Sequence, residues 1–230
     1  MPPAVSRVAD TGDYVPVGTY PFALRLAAPG DLSEVHGLVR EAVAWLRECK
    51  HTDQWARPWP DQAGRKERIQ NDLLEGKTWL VWDDDTVAGT ITIDTEEPIA
   101  AHAQPIWPVH KRHELALYVR RVIVSRSYAG IRLGAGLLDW ASDVAKRDYG
   151  AKLIRLDVWT TNLKLHEYYV GQRFTRCEGR DPRELDNYPS QALFERAVDQ
   201  AGSDYTELFT EAENMTDRKL ASPSRIRDLQ

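Results

Sequence analysis

Apolar residues along the chain switch between alternation and helical spacing, which predicts strands interleaved with helices. Phe22–Ala27 alternates as a first strand. Behind Pro29-Gly30-Asp31, residues Leu32, Val35, Leu38, Val39, Ala42, Val43 and Leu46 form one helical stripe. Asp31 is placed as the N-cap of that helix, with Glu34 three residues on as its capping-box partner. A proline-punctuated loop follows, and a second helix is expected over Asp61–Glu75. Thr78–Trp82 and Thr86–Asp94 alternate as paired strands joined at Asp83-Asp84-Asp85. Leu115–Val124, Lys152–Trp159 and Gln191–Val198 supply three more strands. Between the first two of these, Leu137, Leu138, Ala141, Val144 and Ala145 recur on one helical face, opposite Asp139, Asp143, Lys146 and Arg147.

At 230 residues the chain suits one α/β domain with appendages. Residues 1–20, with three prolines and two glycines, read as a flexible arm; residues 21–198 read as the folded domain. Residues 199–230 lose hydrophobicity and read as a loosely ordered tail. The net charge of −5, without a local Lys/Arg cluster, argues against nucleic acid as a partner. Met1–Tyr20 lacks the basic start and apolar core of a signal peptide, and no segment has the apolar length of a membrane span. A cytoplasmic protein without membrane partners is therefore expected. Cys49 and Cys177 are too few for a disulfide framework. The histidines of the 95–113 connection, His102, His110 and His113, do not match zinc spacing, so no metal is expected. That connection precedes the central strand, which would place it near a substrate mouth.

The strand ending at Val124 runs through Ser125-Arg-Ser-Tyr-Ala-Gly130-Ile-Arg-Leu-Gly134-Ala-Gly136 into a helix. Such a turn leaves the first amides of the helix without partners, aimed where the macrodipole favours an anion. Gly130, Gly134 and Gly136 permit close approach, so the expected guest is a phosphate or diphosphate. The plain alternative is a tight connection with no ligand. A nucleotide P-loop fails because no Gly-Lys-Ser/Thr follows. A dinucleotide site gains support from Asp157, about 20 residues on, but the spacing is Gly-x-x-x-Gly-x-Gly rather than Gly-x-Gly-x-x-Gly.

Val122-Ile-Val-Ser-Arg-Ser-Tyr-Ala-Gly-Ile-Arg-Leu-Gly134 resembles the acyl-CoA-binding segment of the GNAT family of N-acetyltransferases, a strand followed by Arg/Gln-x-x-Gly-x-Gly/Ala. Leu156-Asp-Val-Trp-Thr-Thr-Asn162-Leu-Lys-Leu-His-Glu-Tyr-Tyr169-Val-Gly-Gln-Arg-Phe174 resembles its second signature, Asn before a short helix that ends in Tyr and then Gly-Phe. Ala129 stands where the family often has Arg or Gln, Arg132 where the middle Gly is usual, and Arg173 where Gly precedes Phe174. The resemblance implies an α/β (α+β) fold: a mixed, mostly antiparallel sheet flanked by helices, with its fourth and fifth strands splayed. It implies acetyl-CoA, or another acyl-CoA, as co-substrate, its pantetheine held by backbone groups around Val122, Ile123 and Val124. The diphosphate would meet Ala129, Gly130, Ile131, Arg132, Leu133, Gly134 and Ala135.

Asn162 would touch the cofactor arm or serve only as an N-cap. Two adjacent helical tyrosines point different ways, so one packs and one faces the cofactor. The family match selects Tyr169 to donate to the departing sulfur. Where family enzymes often carry Glu on the central strand, this chain has Tyr118. Asp157 leads the candidates for the base, ahead of Glu114, Asp94 and Glu96, with a loop-holding carboxylate as its alternative. Asp53, Trp55, Tyr118 and Trp159 are expected around the acceptor, and an acid among aromatics suits a small cationic amine. Trp55 has a competing reading as a plug beneath the second helix. The expected reaction is N-acetylation of a small molecule such as an amino acid, amino sugar or antibiotic-like amine. A macromolecular amine (a protein N-terminus or lysine, or a charged tRNA) and a non-catalytic acyl-CoA-binding module stay open, as does a homodimer.

Overall fold

The computed structural model describes residues 21–50, 52, 54–56, 58, 61–97, 104–179, 188–203 and 205–211, together with the short strands 6–8, 14–16 and 99–100. Its frame is an eight-stranded sheet: β1 (Phe22–Leu26), β2 (Thr78–Asp83), β3 (Thr86–Asp94), β4 (Ala116–Val124), β5 (Leu153–Val158), β6 (Thr175–Cys177), β7 (Ala192–Ala197) and β8 (Phe209–Glu211). The spatial order is β6-β7-β5-β4-β3-β2-β1-β8. Only β4–β5 and β8–β1 run parallel. Helix α3 (Leu133–Tyr149) covers one face, packing Leu137, Leu138, Ala141 and Val144 against Leu117, Val119, Ile154 and Leu156. Helices α1 (Leu32–Lys50) and α2 (Gln62–Leu74) cover the other, around Val35, Leu38, Ile69 and Leu73 with Leu80 and Ile123. Among the described residues no helix is long and apolar enough to cross a membrane.

The alternating segments become the strands expected of them, to within about a residue at most ends. The first helix starts differently. Pro29 opens a helical turn over Pro29–Asp31, and Asp31 Oδ2 accepts the Ala28 N–H at 2.8 Å. Asp31 is thus the acid reaching back to the cap, while Glu34 accepts the Ser33 hydroxyl instead. The cause is Pro29, which has a helical φ and no N–H to satisfy, so the first turn forms ahead of Asp31. Asp61 caps α2 as its position suggests, accepting the Gly64 N–H at 2.8 Å.

Two departures from regular pairing position the site. β4 carries one residue more than β3 between the pairs Thr90↔Ile123 and Thr92↔Arg120. In this bulge Arg121 sits at φ +52°, a region that costs a non-glycine residue about 1–2 kcal/mol. A buried ion network holds it there. Asp72 accepts from Arg121 Nη1 and Nη2 at 2.9 and 3.0 Å, and Thr92 Oγ1 accepts from Nη1 at 2.9 Å. Arg120 bridges Asp72 and Asp94 at 3.1 and 2.7 Å. Beyond the bulge, β4 and β5 separate: their pairing covers only Ala116↔Leu153, Leu117↔Ile154 and Tyr118↔Arg155.

Residues 205–211 form a short helix, α5 (Tyr205–Leu208), and then β8, which pairs with β1 in the register Phe209↔Phe22. This stretch of the expected tail therefore packs as part of the sheet. Gly136 makes room for it, since a Cβ there would stand 2.7 Å from Leu208 Cδ1 and 3.1 Å from Phe209 Cε2. Close packing, rather than an anion, accounts for that glycine.

Candidate active site

Where β4 and β5 part, a cavity of about 800 Å³ opens between them. Val119–Val124 form one wall and Leu156–Trp159 the other, with α1 and α2, the first turn of α3, and the helix α4 (Leu163–Gly171) around the rim.

One end is made of backbone. Arg132 takes the left-handed conformation before α3, at φ +61°, and no side chain caps the helix. The first amide to find a backbone acceptor is Gly136, which donates to the Arg132 carbonyl at 3.0 Å. The amides of Leu133, Gly134 and Ala135 have no partner among the described residues, at the positive end of the helix dipole. Gly130, at φ +87°, turns the chain into this position. Ala129, Gly130, Arg132, Leu133 and Gly134 line the cavity, together with Val122, Ile123, Val124 and Asn162. Ile131 and Ala135 instead line a separate pocket of about 250 Å³ against α5. The Ala129 N–H is already bonded to the Arg126 carbonyl at 3.1 Å. Arg126 stacks over Trp45 at 4.0 Å and Lys50 over the same ring at 5.2 Å, which adds positive charge beside the uncapped turn. This end offers a diphosphate unpartnered amides, a glycine turn and cations; the carboxylate beside it, Glu41, is engaged by the Arg126 N–H at 2.6 Å and the Ser125 hydroxyl at 3.2 Å.

The other end is made of side chains. Burial pushes the Asp157 carboxyl above the usual carboxylate range, partly offset by hydrogen bonds from Ser190 and Tyr188; the Tyr188 hydroxyl donates to Oδ2 at 3.2 Å. Tyr169 lines the cavity at 8% exposure, edge-on to Phe174 with centroids 5.5 Å apart. Its hydroxyl has no hydrogen-bond partner among the described residues, and burial pushes its pKa well above a normal phenol. Tyr168 projects toward α3, with its hydroxyl 3.0 Å from where a Cβ on Gly134 would stand, and its pKa is pushed up to about 12. Both tyrosines line the cavity, Tyr168 at 39% exposure and Tyr169 packed in the core against Phe174 and Phe194. Asn162 caps α4 by accepting the Leu165 N–H at 3.2 Å, and its Nδ2 donates to Gln54 Oε1 at 2.5 Å. Trp159 lies in the wall and accepts the Asn162 N–H at its carbonyl, at 3.1 Å. Trp55, at φ +62°, lines the cavity and also packs on the cluster beneath α1 and α2, so it is wall and plug together.

Tyr118 is a correction. It is buried against Trp107, with ring centroids 6.3 Å apart, and bonds Arg155 outside the cavity. Strand parity is the reason: Leu117 and Val119 face α3, which turns Tyr118 to the opposite face before the bulge begins. The described residues of the 95–113 connection pack there too, through Ile106 and Trp107, and none lines the cavity. Asp94 is ion-paired with Arg120 and Lys77, and Glu114 with Arg155, which leaves Asp157 as the one cavity carboxylate among the four candidates for the base. Asp53 lies outside the described residues. Among the described residues no group of three or more His, Cys, Asp or Glu is placed to hold a metal ion.

Sequence reasoning missed Gln54, Arg65, Arg68, Arg120, Arg121 and Tyr188, all of them in the cavity wall. Arg65 and Arg68 sit three apart on a helix rich in exposed polar residues, a spacing that carries no distinguishing signal. The pair Arg120-Arg121 inside an apolar strand was the one visible hint, because a buried charge demands partners.

A family model described as Acetyltransferase (GNAT) family matches residues 39–173, more than half of the chain. Comparison with curated proteins returns no match. Solved structures share the fold. A GNAT-family acetyltransferase from Listeria monocytogenes superposes with a TM-score of 0.58 at 23% identity, over 76% of this chain and 94% of that one. The PaiA N-acetyltransferase from Thermoplasma acidophilum, in complex with coenzyme A, gives 0.55 at 18% identity over 77% and 99%. The N-acetylglutamate synthase from Neisseria gonorrhoeae, complexed with coenzyme A and N-acetyl-glutamate, gives 0.52 at 16% identity over 79% and 36%. With two signature segments on the two lips of a parted sheet and a family match spanning both, the chain belongs to the acetyltransferase (GNAT) family and is an N-acetyltransferase by class.

Proposed function

We propose that the protein moves an acetyl group from acetyl-CoA to the amine of a small molecule, with Asp157 as base and Tyr169 as donor to the departing sulfur. One observation carries the reading: a single cavity joins the uncapped amides of α3 to Asp157 and Tyr169 through the gap between β4 and β5. Its volume of about 800 Å³ falls in the range of ligand-binding clefts. The coenzyme A in the Thermoplasma relative accords with this assignment.

When bound, acetyl-CoA supplies a thioester carbonyl; the amine nitrogen bonds to its carbon, the C–S bond breaks, and coenzyme A leaves as the thiol. The chain's own residues handle the anions and protons. The amides of Leu133, Gly134 and Ala135 hold the diphosphate, and parted β4 offers backbone groups to the arm. An alkyl ammonium of pKa near 10.4 costs about 4–5 kcal/mol to deprotonate at neutral pH, whereas an α-ammonium near 8 costs about 1–1.5. A carboxylate raised by burial lies closer to either amine than an ordinary one does, so Asp157 accepts the proton at smaller cost. Tyr169 keeps its proton through the neutral range and donates it late. Transfer from an ordinary phenol of pKa about 10 to a thiolate of about 8.5 is uphill by about 2 kcal/mol, and burial makes Tyr169 a weaker acid still, so it acts first as a hydrogen-bond donor to the sulfur. The ammonium's first proton passes through Asp157 to solvent, and the second, lost from nitrogen as the amide forms, replaces the one Tyr169 gives to sulfur, so one proton is released per turnover.

Tyr169→Phe tests the assignment. The ring and its packing remain, so kcat should fall about 10²-fold while the Kd for acetyl-CoA, read by calorimetry, moves less than about threefold. Unchanged kcat would remove Tyr169 from the chemistry. Heat with NAD or ATP and none with acetyl-CoA would overturn the whole reading.

A further inference from the structure

Among the described residues, the cavity wall holds eight lysines and arginines and a single carboxylate, Asp157. Lys50, Arg126 and Arg132 surround the amide cradle, where the cofactor's phosphates answer them. Arg120 and Arg121 are neutralised from below by Asp72 and Asp94. Arg65 is different. Its Nη2 donates to the Trp55 carbonyl, which fixes the guanidinium in the wall, and it has no carboxylate partner among the described residues. Arg68 follows one turn along α2 and acts electrostatically on Tyr188, whose hydroxyl donates to Asp157. Burial and the like charges of Arg68 and Arg121 push the Arg65 guanidinium below its ordinary value. Arg65 and Arg68 both line the cavity from α2, which packs on the sheet face opposite α3, with Arg65 bonded to Trp55 and Arg68 acting on Tyr188, whose hydroxyl reaches Asp157.

Resting on the acetyltransferase reading above, we propose that the acceptor carries a carboxylate next to its amine, as an amino acid does, and that Arg65, supported by Arg68, binds that carboxylate while Asp157 faces the amine. An arginine fork matches a carboxylate with two parallel N–H···O bonds, and a fixed, half-buried guanidinium gains most from such a partner. The same positive charge disfavours the ammonium form of an adjacent amine, which eases its deprotonation by Asp157. The pocket therefore selects a zwitterion and not the purely cationic amine suggested by one acid among aromatics. Of the four residues expected around the acceptor, Trp55 and Trp159 line the cavity; Asp157 and Tyr188 join them, and the arginines of α2 add the positive charge that the expectation lacked.

The experiment uses the full chain with acetyl-CoA, read by released thiol. The acceptors are the twenty common L-amino acids, each paired with its carboxamide and its decarboxylated amine. The expected result is a kcat/KM at least about tenfold higher for the carboxylate member of the best pair, collapsing toward one in Arg65→Gln. Because Arg65 also braces the Trp55 loop, Arg68→Gln, on the exposed side of α2, is measured in parallel and should lower the same ratio by about threefold. Amides or amines turned over as fast as the acids overturn the proposal, as does a preference that survives both substitutions. Turnover of none of the three series by a protein that still binds acetyl-CoA also overturns it, leaving the cofactor assignment standing. Failure to bind acetyl-CoA overturns the parent reading instead.

Discussion

The two ends of the cavity solve the same problem, holding charge out of water, with different materials. At the α3 end the donors are main-chain amides left over by helix geometry, and any sequence that forms the turn supplies them. At the Asp157 end the charges sit on side chains from α2, β3, β4, β5 and the segment before β7, each requiring a partner of its own. The first kind of site tolerates substitution as long as the backbone path is kept. The second fails when one member is removed, because the remainder stays buried with its charge unanswered.

The largest effect should therefore come from Asp72, which touches no part of the proposed reaction. It is 5% exposed and accepts from both Arg120 and Arg121. Asp72→Ala leaves Arg121, at a positive φ, with Thr92 Oγ1 as its one hydrogen-bond partner among the described residues, and the cost should be about 3–5 kcal/mol of unfolding free energy. Urea denaturation of the cofactor-free protein measures it. A loss under about 1 kcal/mol would mean that the bulge, and the parting of β4 from β5, does not depend on this network.

Next in size is Asp157→Asn, which should lower kcat about 10²-fold or more and raise stability at neutral pH. The stability sign follows from linkage. A carboxyl whose folded pKa is raised contributes stability below its ordinary pKa and loses that contribution as pH climbs through the raised folded value. At neutral pH the buried carboxylate is a net cost, and the amide, which still accepts from Tyr188, relieves it. In the parent protein kcat should fall on acidification at a pH above the ordinary carboxylate range, and that limb should vanish in the variant. A variant both slower and less stable would mark Asp157 as a loop-holding carboxylate.

The same division between backbone and side chains explains what the sequence disclosed. The amide cradle was readable because its parts are contiguous, a strand, a glycine-bearing turn and a helix within about twenty residues, and because the family signature describes that path. Tyr169 and Asn162 were readable for the same reason. The closed end joins Trp55, Arg65, Asp72, Arg121, Asp157 and Tyr188, spread over more than 130 positions, and only the fold brings them together. Tyr118 was misassigned because its place came from the family pattern on the central strand, whereas the parity of β4 turns it to the face opposite Leu117 and Val119, ahead of the bulge. The capping acid of α1 was misplaced by one turn because the weight given to Asp31 and Glu34 ignored the earlier start that Pro29 permits.

The smallest effects separate two glycines that look alike in the sequence. Gly134 and Gly136 sit two apart in the first turn of α3, yet only Gly134 lines the cavity. A Cβ at 134 would stand 3.0 Å from the Tyr168 hydroxyl, the mobile end of a partly exposed side chain that can shift by a few tenths of an ångström. Alanine is also the better helix former, by up to about 1 kcal/mol. Gly134→Ala should thus leave the melting temperature unchanged or slightly higher. It should also weaken acetyl-CoA about tenfold in Kd by narrowing the path to the amides, a loss of about 1.4 kcal/mol. Gly136→Ala should do the reverse. Its Cβ would press on Leu208 and Phe209, loosening the union of β8 with β1 at a cost of about 1–3 kcal/mol, while acetyl-CoA affinity holds. Paired calorimetric titrations and thermal melts read both quantities on both variants. If Gly136→Ala also weakens the cofactor, the C-terminal strand and the cradle share one mechanical unit, and the backbone end of the cavity is less self-sufficient than its contiguity in sequence implies.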